Sequence, residues 1–208
     1  MSIKIILVKI LFLLLVAQLA SLIIPYLGFF PYREILDILN IPFFVKSFSN
    51  FDGVQYLLVA KQGYMTYQQA YFPLYPLLIR VVGDLLHIEY FYSALLISNL
   101  GFAIGLHYFY KLLRIDFDKK KSLIGVLFLI LFPTSFYFHV IYTEGLFFAL
   151  FISFLYFLRK EDLKKALLIS IFLSATRLIG VFSVVFLLPV ILERSEESRG
   201  ILRSLRSL

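Results

Sequence analysis

The sequence contains no cysteine and no tryptophan, and it has only three histidines among 208 residues. Without cysteine the chain cannot form a disulfide, use a thiolate nucleophile or bind a metal through sulfur. The histidines are scattered, at His87, His107 and His139, which argues against a zinc site. We interpret the sequence as lacking a glycine-rich phosphate loop, a dinucleotide fingerprint and an Asp-x-Asp metal motif. These absences exclude thiol enzymes and argue against a nucleotide-sugar donor used in the cytoplasm.

Apolar residues dominate the composition. Hydrophobic residues make up 61% of the chain and aromatic residues 18%, while charged residues account for only 16%. The mean hydropathy is +0.91, which is typical of a membrane protein and not of a soluble domain. The formal net charge of +7 is compatible with nucleic-acid binding, but the basic residues flank the apolar runs, where they orient membrane helices. We therefore expect membrane lipids, and no nucleic acid, as partners.

Five apolar runs are candidates for membrane spans. They cover residues 5–24, 88–113, 122–140, 145–158 and 166–191. Basic clusters lie at the start of the first run and after the second and fourth, and the positive-inside rule places all three in the cytoplasm. The external loop 25–87 and the turn at Tyr142-Thr143-Glu144 then face outward. The sequence therefore predicts an all-α membrane protein with about five transmembrane helices.

This count requires that residues 74–86, which are apolar but interrupted by charge, lie at the interface without crossing the membrane. A second interfacial helix is predicted over residues 32–39. Residues 1–192 are predicted to form one membrane domain, whose first run is an uncleaved anchor because it is long for a signal peptide. The tail 193–208 is polar, and we expect an incomplete reading frame that can be inactive on its own; a genuine short protein is the alternative.

The segment 51–80 is neither a simple linker nor a membrane span. Asp52 precedes apolar positions at helical spacing, so we predict a short surface helix within residues 50–62 that ends at Gly63. Several tyrosines follow, together with prolines that prevent one continuous helix. Aromatic residues with a polar tip concentrate at the membrane–water boundary. A carboxylate at this boundary is placed for chemistry on a lipid-linked substrate.

This segment carries a resemblance to a known family. The pattern F-D-G-x-x-Y-L-x-x-A-x-x-G-Y from Phe51, followed by A-Y-F-P-L-Y-P-L-L-I-R from Ala70, resembles the first external loop of PIG-V-like mannosyltransferases. These are relatives of GPI mannosyltransferase II in the GT-C class of integral-membrane glycosyltransferases. Two later stretches resemble the family in the same order: F-P-T leading to Y-T-E at residues 132–144, and A-T-R-L-I-G at residues 175–180.

The chain also departs from the family pattern. Phe51 stands where the family usually has tryptophan, and Gln68 or Gln69 stands where an acidic residue is often found. Family members are substantially longer, so the resemblance covers an N-terminal portion only.

The resemblance implies a GT-C-like bundle that moves a sugar, mannose in the family, from a polyprenyl- or dolichyl-phosphate donor. The acceptor is a lipid- or protein-linked glycan or glycolipid on the outer face. Asp52 is the expected catalytic base, since a carboxylate can take the proton of the acceptor hydroxyl; alternatively it only caps the following helix. Arg177, within the fifth run, is expected to bind the donor phosphate; alternatively it pairs with Glu144 or snorkels.

Other residues have secondary roles in this prediction. Glu144 is expected to bind the acceptor or a divalent metal, the only cofactor considered, or else to start a helix. Arg80 is a second candidate for phosphate binding, or an anchor for an interfacial helix. The substrate-binding candidates are completed by Tyr56, Tyr64 and Tyr142. We expect Asp52, Glu144 and Arg177 to converge on one cavity at the outer boundary.

The competing hypothesis is a non-catalytic membrane protein: a transporter or flippase fragment, or a scaffold for glycan assembly. Transport would require polar residues facing inward along several spans, whereas the polar residues here concentrate in one external loop. An enzyme is therefore favoured, in the plasma membrane of a prokaryote or in the endoplasmic reticulum of a eukaryote.

Overall fold

The computed structural model of the protein describes residues 3–23, 43–189 and 192. The described residues form helices, turns and loops, and no strand occurs among them. The all-α prediction is therefore confirmed for this part of the chain. The longer helices are numbered in chain order: α1 (Ile3–Ile23), α2 (Asp52–Gln62), α3 (Leu74–Leu86), α4 (Tyr90–Asp116), α5 (Lys119–Leu131), α6 (Glu144–Arg159) and α7 (Leu163–Ser174).

Short helical pieces connect these elements. A helical turn at Phe43–Lys46 and a 3₁₀ turn at Ser47–Ser49 precede α2, and further 3₁₀ turns occupy Pro133–His139 and Leu178–Phe182. Residues 183–189 are helical again. The interfacial helix predicted over residues 32–39 lies outside the described residues.

The helices predicted within residues 50–62 and over residues 74–86 are both present. Helix α2 ends at Gly63, whose φ of 84° is the left-handed conformation that glycine adopts most readily. Helix α3 spans the predicted residues 74–86 and ends at His87, which also has a positive φ of 53°.

Two of the predicted apolar runs are not continuous helices. In the third run, α5 ends before Pro133, which has no N–H to continue the helix, and the following 3₁₀ turn leaves at 80°. In the fifth run, α7 ends at Ser174, and Arg177 is extended, with φ −155° and ψ 149°. The expectation of unbroken helices over 122–140 and 166–191 was therefore wrong.

Length and composition support one crossing directly. Among the described residues, α4 is the single helix that is long and apolar enough to cross a membrane, and α5 with its 3₁₀ turn would count as a second, broken one.

Helices α4 and α6 pack through small residues. Gly101 and Gly105 are one turn apart on α4, opposite Gly145 and Ala149 of α6; a Cβ on Gly101 would lie 2.8 Å from the Gly145 backbone, and one on Gly105 would lie 3.2 Å from the backbone of Ala149. A small-xxx-small pattern of this kind lets backbones approach closely and is frequent in membrane helices.

The bundle therefore has two ends of different chemistry. Helices α4 and α6 run parallel, because Ser98 of α4 donates to the carbonyl of Tyr142 just before α6, and Asp116 and Arg159 pair where both helices end. The basic end holds that ion pair and the starts of α5 and α7. The loop end holds α2, α3 and the starts of α4 and α6. Along α6 the two ends are about 22 Å apart.

Candidate functional site at the loop end

Asp52 follows a strained turn. The Gly53 N–H donates to the carbonyl of Asn50 at 3.3 Å, and Phe51 between them has φ 56° and ψ −116°. These are the values of the second residue of a type II′ turn, which is normally glycine. Holding a phenylalanine there costs about 1–3 kcal/mol, and such strain concentrates at functional sites. Phe51, and not Asp52, is the residue that precedes α2, so the alternative in which Asp52 only caps this helix does not hold.

The Asp52 carboxylate lies on the surface beside the aromatic loop. Its Oδ1 accepts a hydrogen bond from the Tyr71 hydroxyl at 3.3 Å. As the first residue of α2, Asp52 also lies where the helix dipole favours a negative charge.

The loop that carries Tyr71 is fixed by buried polar contacts. Gln68 is buried, and its amide donates to the Gln55 side chain at 2.8 Å while its oxygen accepts from the Met65 N–H at 2.9 Å. The Tyr64 hydroxyl donates to the Tyr71 carbonyl at 2.6 Å. Gln68, at the position where the family often has an acid, thus fastens the loop against α2.

Tyr56 lies at the centre of the cluster. Its ring meets the rings of Tyr71 and Tyr75 edge to face, each at 5.1 Å between centroids. Burial raises the pKa of Tyr56, while the charge of Arg177 lowers it and those of Asp52 and Glu144 raise it. The charges of all three predicted groups therefore influence the pKa of the same tyrosine.

Glu144 and Arg177 form an ion pair. The Arg177 guanidinium donates to Glu144 Oε1 at 2.8 Å and lies 5.7 Å from the centre of the Phe147 ring. The pairing considered as an alternative from the sequence is thus present. The other carboxylate oxygen, Glu144 Oε2, is buried and has no hydrogen-bond partner. A buried acceptor without a donor costs about 1–3 kcal/mol, which a ligand hydroxyl would offset.

Hydrogen bonds between distant segments assemble the cluster. The Tyr142 hydroxyl donates to the carbonyl of Asn50 at 3.1 Å, which joins the turn before α6 to the turn before Asp52. The Leu74 N–H donates to the carbonyl of Ala175 at 3.0 Å, which joins α3 to the break that carries Arg177. Burial, and next the charge of Asp52, raise the pKa of Tyr142 to about 12. Its hydroxyl is therefore protonated at neutral pH.

Arg80 does not join this cluster. Its guanidinium donates to the carbonyls of Ala60 and Lys61 at 2.6 and 3.0 Å, in the last turn of α2. Ala60 is eight residues from Asp52, about 12 Å along the helix. The geometry favours a role for Arg80 in anchoring α2 to α3. A cavity of about 570 Å³ beyond it, lined by Asp84 and His87 among others, also lies apart from Asp52.

Among the described residues, no group of three His, Asp or Glu side chains could hold a metal ion. The chain has one Asp-x-Asp sequence, Asp116-Phe117-Asp118. The interpretation of the sequence as lacking this motif was therefore wrong, and with it one ground for arguing against a nucleotide-sugar donor. The motif lies at the basic end, where Asp116 pairs with Arg159 and Asp118 accepts from the Lys121 N–H at the start of α5.

Sequence reasoning missed two contributors, Tyr71 and Asn50. Tyr71 is nineteen residues from Asp52, and no local spacing shows that a loop folds it back onto the carboxylate. Comparison with models of known protein families, with curated proteins and with solved structures gave no match.

Proposed function

We propose that the protein is an integral-membrane glycosyltransferase that moves a sugar, in the first instance mannose, from a polyprenyl-phosphate donor to a glycan or glycolipid acceptor. The observation that carries the proposal is the cluster at the loop end. There Arg177 pairs with Glu144 at 2.8 Å, the Tyr142 hydroxyl joins the segment before Glu144 to Asn50 in the turn before Asp52 at 3.1 Å, and one buried oxygen of Glu144 lacks a donor. The motif resemblance to PIG-V-like enzymes falls on the same residues.

The proposal includes several crossings of the plasma membrane or the endoplasmic reticulum membrane. Large apolar side chains point outward around the bundle; among them Phe128 and Leu131 of α5 are 74% and 76% exposed, and Ile171 of α7 is 60% exposed. A soluble protein rarely exposes such a surface, whereas lipid would cover it. The basic end would face the cytoplasm and the loop end the outer or luminal side.

The chemistry divides between the two acids and the arginine. Asp52 takes the proton of the acceptor hydroxyl as its oxygen forms a bond to the anomeric carbon. The bond between that carbon and the phosphate oxygen breaks, and the polyprenyl phosphate leaves with the electron pair. Arg177 stabilises the charge that develops on this phosphate, and a guanidinium suits phosphate geometry.

The remaining groups position the reactants. Tyr71 orients the Asp52 carboxylate through their hydrogen bond. Glu144 holds Arg177 with one oxygen, and its other oxygen, which is buried without a donor, receives an acceptor hydroxyl once substrate binding opens the site. In this proposal Tyr56, Tyr64 and Tyr142 bind the substrate beside these groups. No step is assigned to a metal ion.

The test is sugar transfer by the full chain reconstituted in lipid vesicles with radiolabelled polyprenyl-phosphate mannose and a glycolipid acceptor. Asp52→Asn is nearly isosteric and lies on the surface, so we expect folded protein with transfer reduced at least about 1,000-fold. Asp116→Asn is the matched control at the basic end and should retain transfer. Near-normal transfer by Asp52→Asn, compared with an active unaltered protein, would rule out Asp52 as the base. No transfer by the 208-residue chain and by any longer reading frame that contains it would count against the enzyme.

A further inference from the structure

The basic end of the bundle carries more positive charge than its own acids neutralise. Residues 111–121 and 159–165 hold nine lysines and arginines against four aspartates and glutamates, a formal charge of +5 within a chain of net charge +7. Three of these acids, Asp116, Asp118 and Asp162, each pair with one basic residue. Most of the remaining lysines are therefore available to an anion from outside the chain.

One lysine that the sequence assigned to the cytoplasmic side does not contribute to this charge. Lys9, at the start of the first apolar run, donates from Nζ to Ser135 Oγ and lies 5.4 Å from the centre of the Phe102 ring. Lys9 therefore points into the bundle, and the expectation that it marks the cytoplasmic end of α1 was wrong.

Two lysines of the basic end lie over one aromatic cluster that three helices build. The rings of Tyr108 on α4 and of Tyr156 and Phe157 on α6 have centroids 5.3 to 5.5 Å apart. Lys111 Nζ on α4 lies 5.5 and 5.8 Å from the centres of the two tyrosine rings, and Lys165 Nζ on α7 lies 5.0 Å from the centre of the Phe157 ring. We call Lys111, Lys165, Tyr108 and Tyr156 the lysine–tyrosine patch.

The lysine–tyrosine patch offers hydrogen-bond donors. Within the part of the chain that the structure describes, Lys111 has no carboxylate partner, and the hydroxyls of Tyr108 and Tyr156 have no hydrogen-bond partner. Lys165 pairs with Asp162 at 2.6 Å, but this pair is exposed and therefore weak. Ammonium groups and phenol hydroxyls both donate to phosphate oxygens, so the patch suits a phosphate group.

Exposed apolar side chains continue from the patch towards the loop end. On α7 they follow Lys165 by one and two turns, and on α4 they precede Lys111 by two and three turns. They are Leu168 and Phe172 on α7, and Ile104 and Leu100 on α4. Along α7 this stripe reaches about 10 Å from Lys165. A partner that binds the patch and also covers these stripes has a charged head and hydrocarbon chains, which describes a lipid and excludes free phosphate.

We propose that the lysine–tyrosine patch binds the phosphate headgroup of an anionic phospholipid in the cytoplasmic leaflet. Its acyl chains lie along the stripes on α4 and α7. Basic pockets between membrane helices on the cytoplasmic side bind anionic headgroups in this way. A phosphatidylcholine carries a cation beside its phosphate and binds less well. The inference rests on the membrane placement in the proposed function and is independent of sugar transfer.

The test uses a single tryptophan as a reporter, since the sequence contains none. Leu168→Trp places it on the exposed stripe beside Lys165, in the full chain reconstituted in vesicles of phosphatidylcholine with a minority of phosphatidylglycerol. Only one of the two lipids carries bromine, which quenches nearby tryptophan, in each sample. We expect brominated phosphatidylglycerol to quench more per molecule than brominated phosphatidylcholine. Lys111→Gln, added to the reporter chain, should lower this preference roughly fivefold.

Lys120→Gln is the matched control. It removes the same charge from an exposed position at the same end of the bundle, in the first turn of α5 and outside the patch. It should keep the preference for phosphatidylglycerol. Inorganic phosphate should not reverse the quenching, because it has no acyl chains.

Three results would overturn the lipid site: equal quenching by the two lipids, an equal loss in Lys111→Gln and Lys120→Gln, or reversal by inorganic phosphate. The second would mean that the lysines act only through their summed charge, and the third that the patch takes free phosphate. The assay does not read sugar transfer. A chain that prefers phosphatidylglycerol and transfers no sugar would refute the enzyme alone, and transfer without this preference would refute the lipid site alone.

Discussion

The two ends of the bundle each hold an arginine–carboxylate pair at nearly the same distance. At the basic end, Arg159 and Asp116 are 2.7 Å apart and their side chains are 51% and 47% exposed. At the loop end, Arg177 and Glu144 are 2.8 Å apart but only 40% and 26% exposed. An exposed pair contributes about 0–1 kcal/mol, whereas a partly buried one also carries a desolvation cost. Of the two pairs, only the loop-end pair leaves a buried oxygen without a donor, and the proposed function uses this difference.

The backbone is also more regular at the basic end than at the loop end. At the basic end, Asp118 and Asp162 accept N–H groups in the first turns of α5 and α7, a regular cap that stabilises a helix start. At the loop end, Phe51 is strained and α7 is broken before Arg177. The basic end thus has regular, capped helix starts, whereas the loop end has a strained turn and a helix break beside its charged groups.

The largest expected effect concerns glycines at the two ends. A Cβ on Gly145 would clash with the Ser98 carbonyl, whereas one on Gly125 would meet only the end of the Leu113 side chain at 2.9 Å. We expect Gly145→Ala to lower the free energy of unfolding by about 3 kcal/mol. Gly125→Ala should be neutral within about 1 kcal/mol. Denaturant unfolding in detergent measures both, and equal losses would contradict the tight α4–α6 contact.

The second effect concerns the two arginines. Arg177→Gln leaves a partly buried Glu144 without its partner, so we expect a loss of about 2 kcal/mol in the free energy of unfolding. Arg159→Gln should cost no more than about 0.5 kcal/mol, since its pair is exposed. The same unfolding experiment compares them. A larger loss for Arg159→Gln would mean that the ion pair at the basic end contributes more to the free energy of unfolding than the ion pair at the loop end.

The smallest effect concerns Tyr142. Its pKa is raised to about 12 in the folded protein, against about 10 for an ordinary tyrosine. Its contribution to stability is therefore complete below about pH 10 and is lost as the pH rises towards 12. Tyr142→Phe should lose less stability across this window than the unaltered protein does. Tyr67→Phe, at a residue that is 91% exposed, should behave like the unaltered protein, and identical curves for all three would contradict the burial of Tyr142.

Local patterns in the sequence predicted the helices well where one local signal dominates. Gly63 ends α2. Residues 74–86, whose apolar run is interrupted by charges, form the predicted short helix. The breaks in the third and fifth runs were missed. Pro133 was visible as a helix breaker, but the run was treated as apolar throughout. Beside the break at Arg177, Gly180 packs so closely against the carbonyl of Leu173 that a Cβ would clash, a contact that no periodicity reveals.

The candidate site was predictable as a set of residues and not as a geometry. Asp52, Glu144 and Arg177 were named from residue type, position and motif resemblance, and their shared neighbourhood at Tyr56 arises from tertiary contacts. The Tyr71 contact to Asp52 and the direction of Lys9 depend on how a loop and α1 pack. The roles of these residues in sugar transfer remain predictions that the experiments above test.

The most direct test of the difference between the ends is the stabilisation of each arginine variant by polyprenyl phosphate. A ligand that binds the folded state raises Tm, and the shift is measured against each variant's own Tm, so the intrinsic cost of the substitution cancels. Polyprenol, which lacks the phosphate, is the control ligand. We predict that polyprenyl phosphate raises the Tm of the unaltered protein and of Arg159→Gln by similar amounts and leaves that of Arg177→Gln unchanged. An undiminished shift in Arg177→Gln, or its loss in Arg159→Gln, would contradict the assignment of the loop end as the phosphate site.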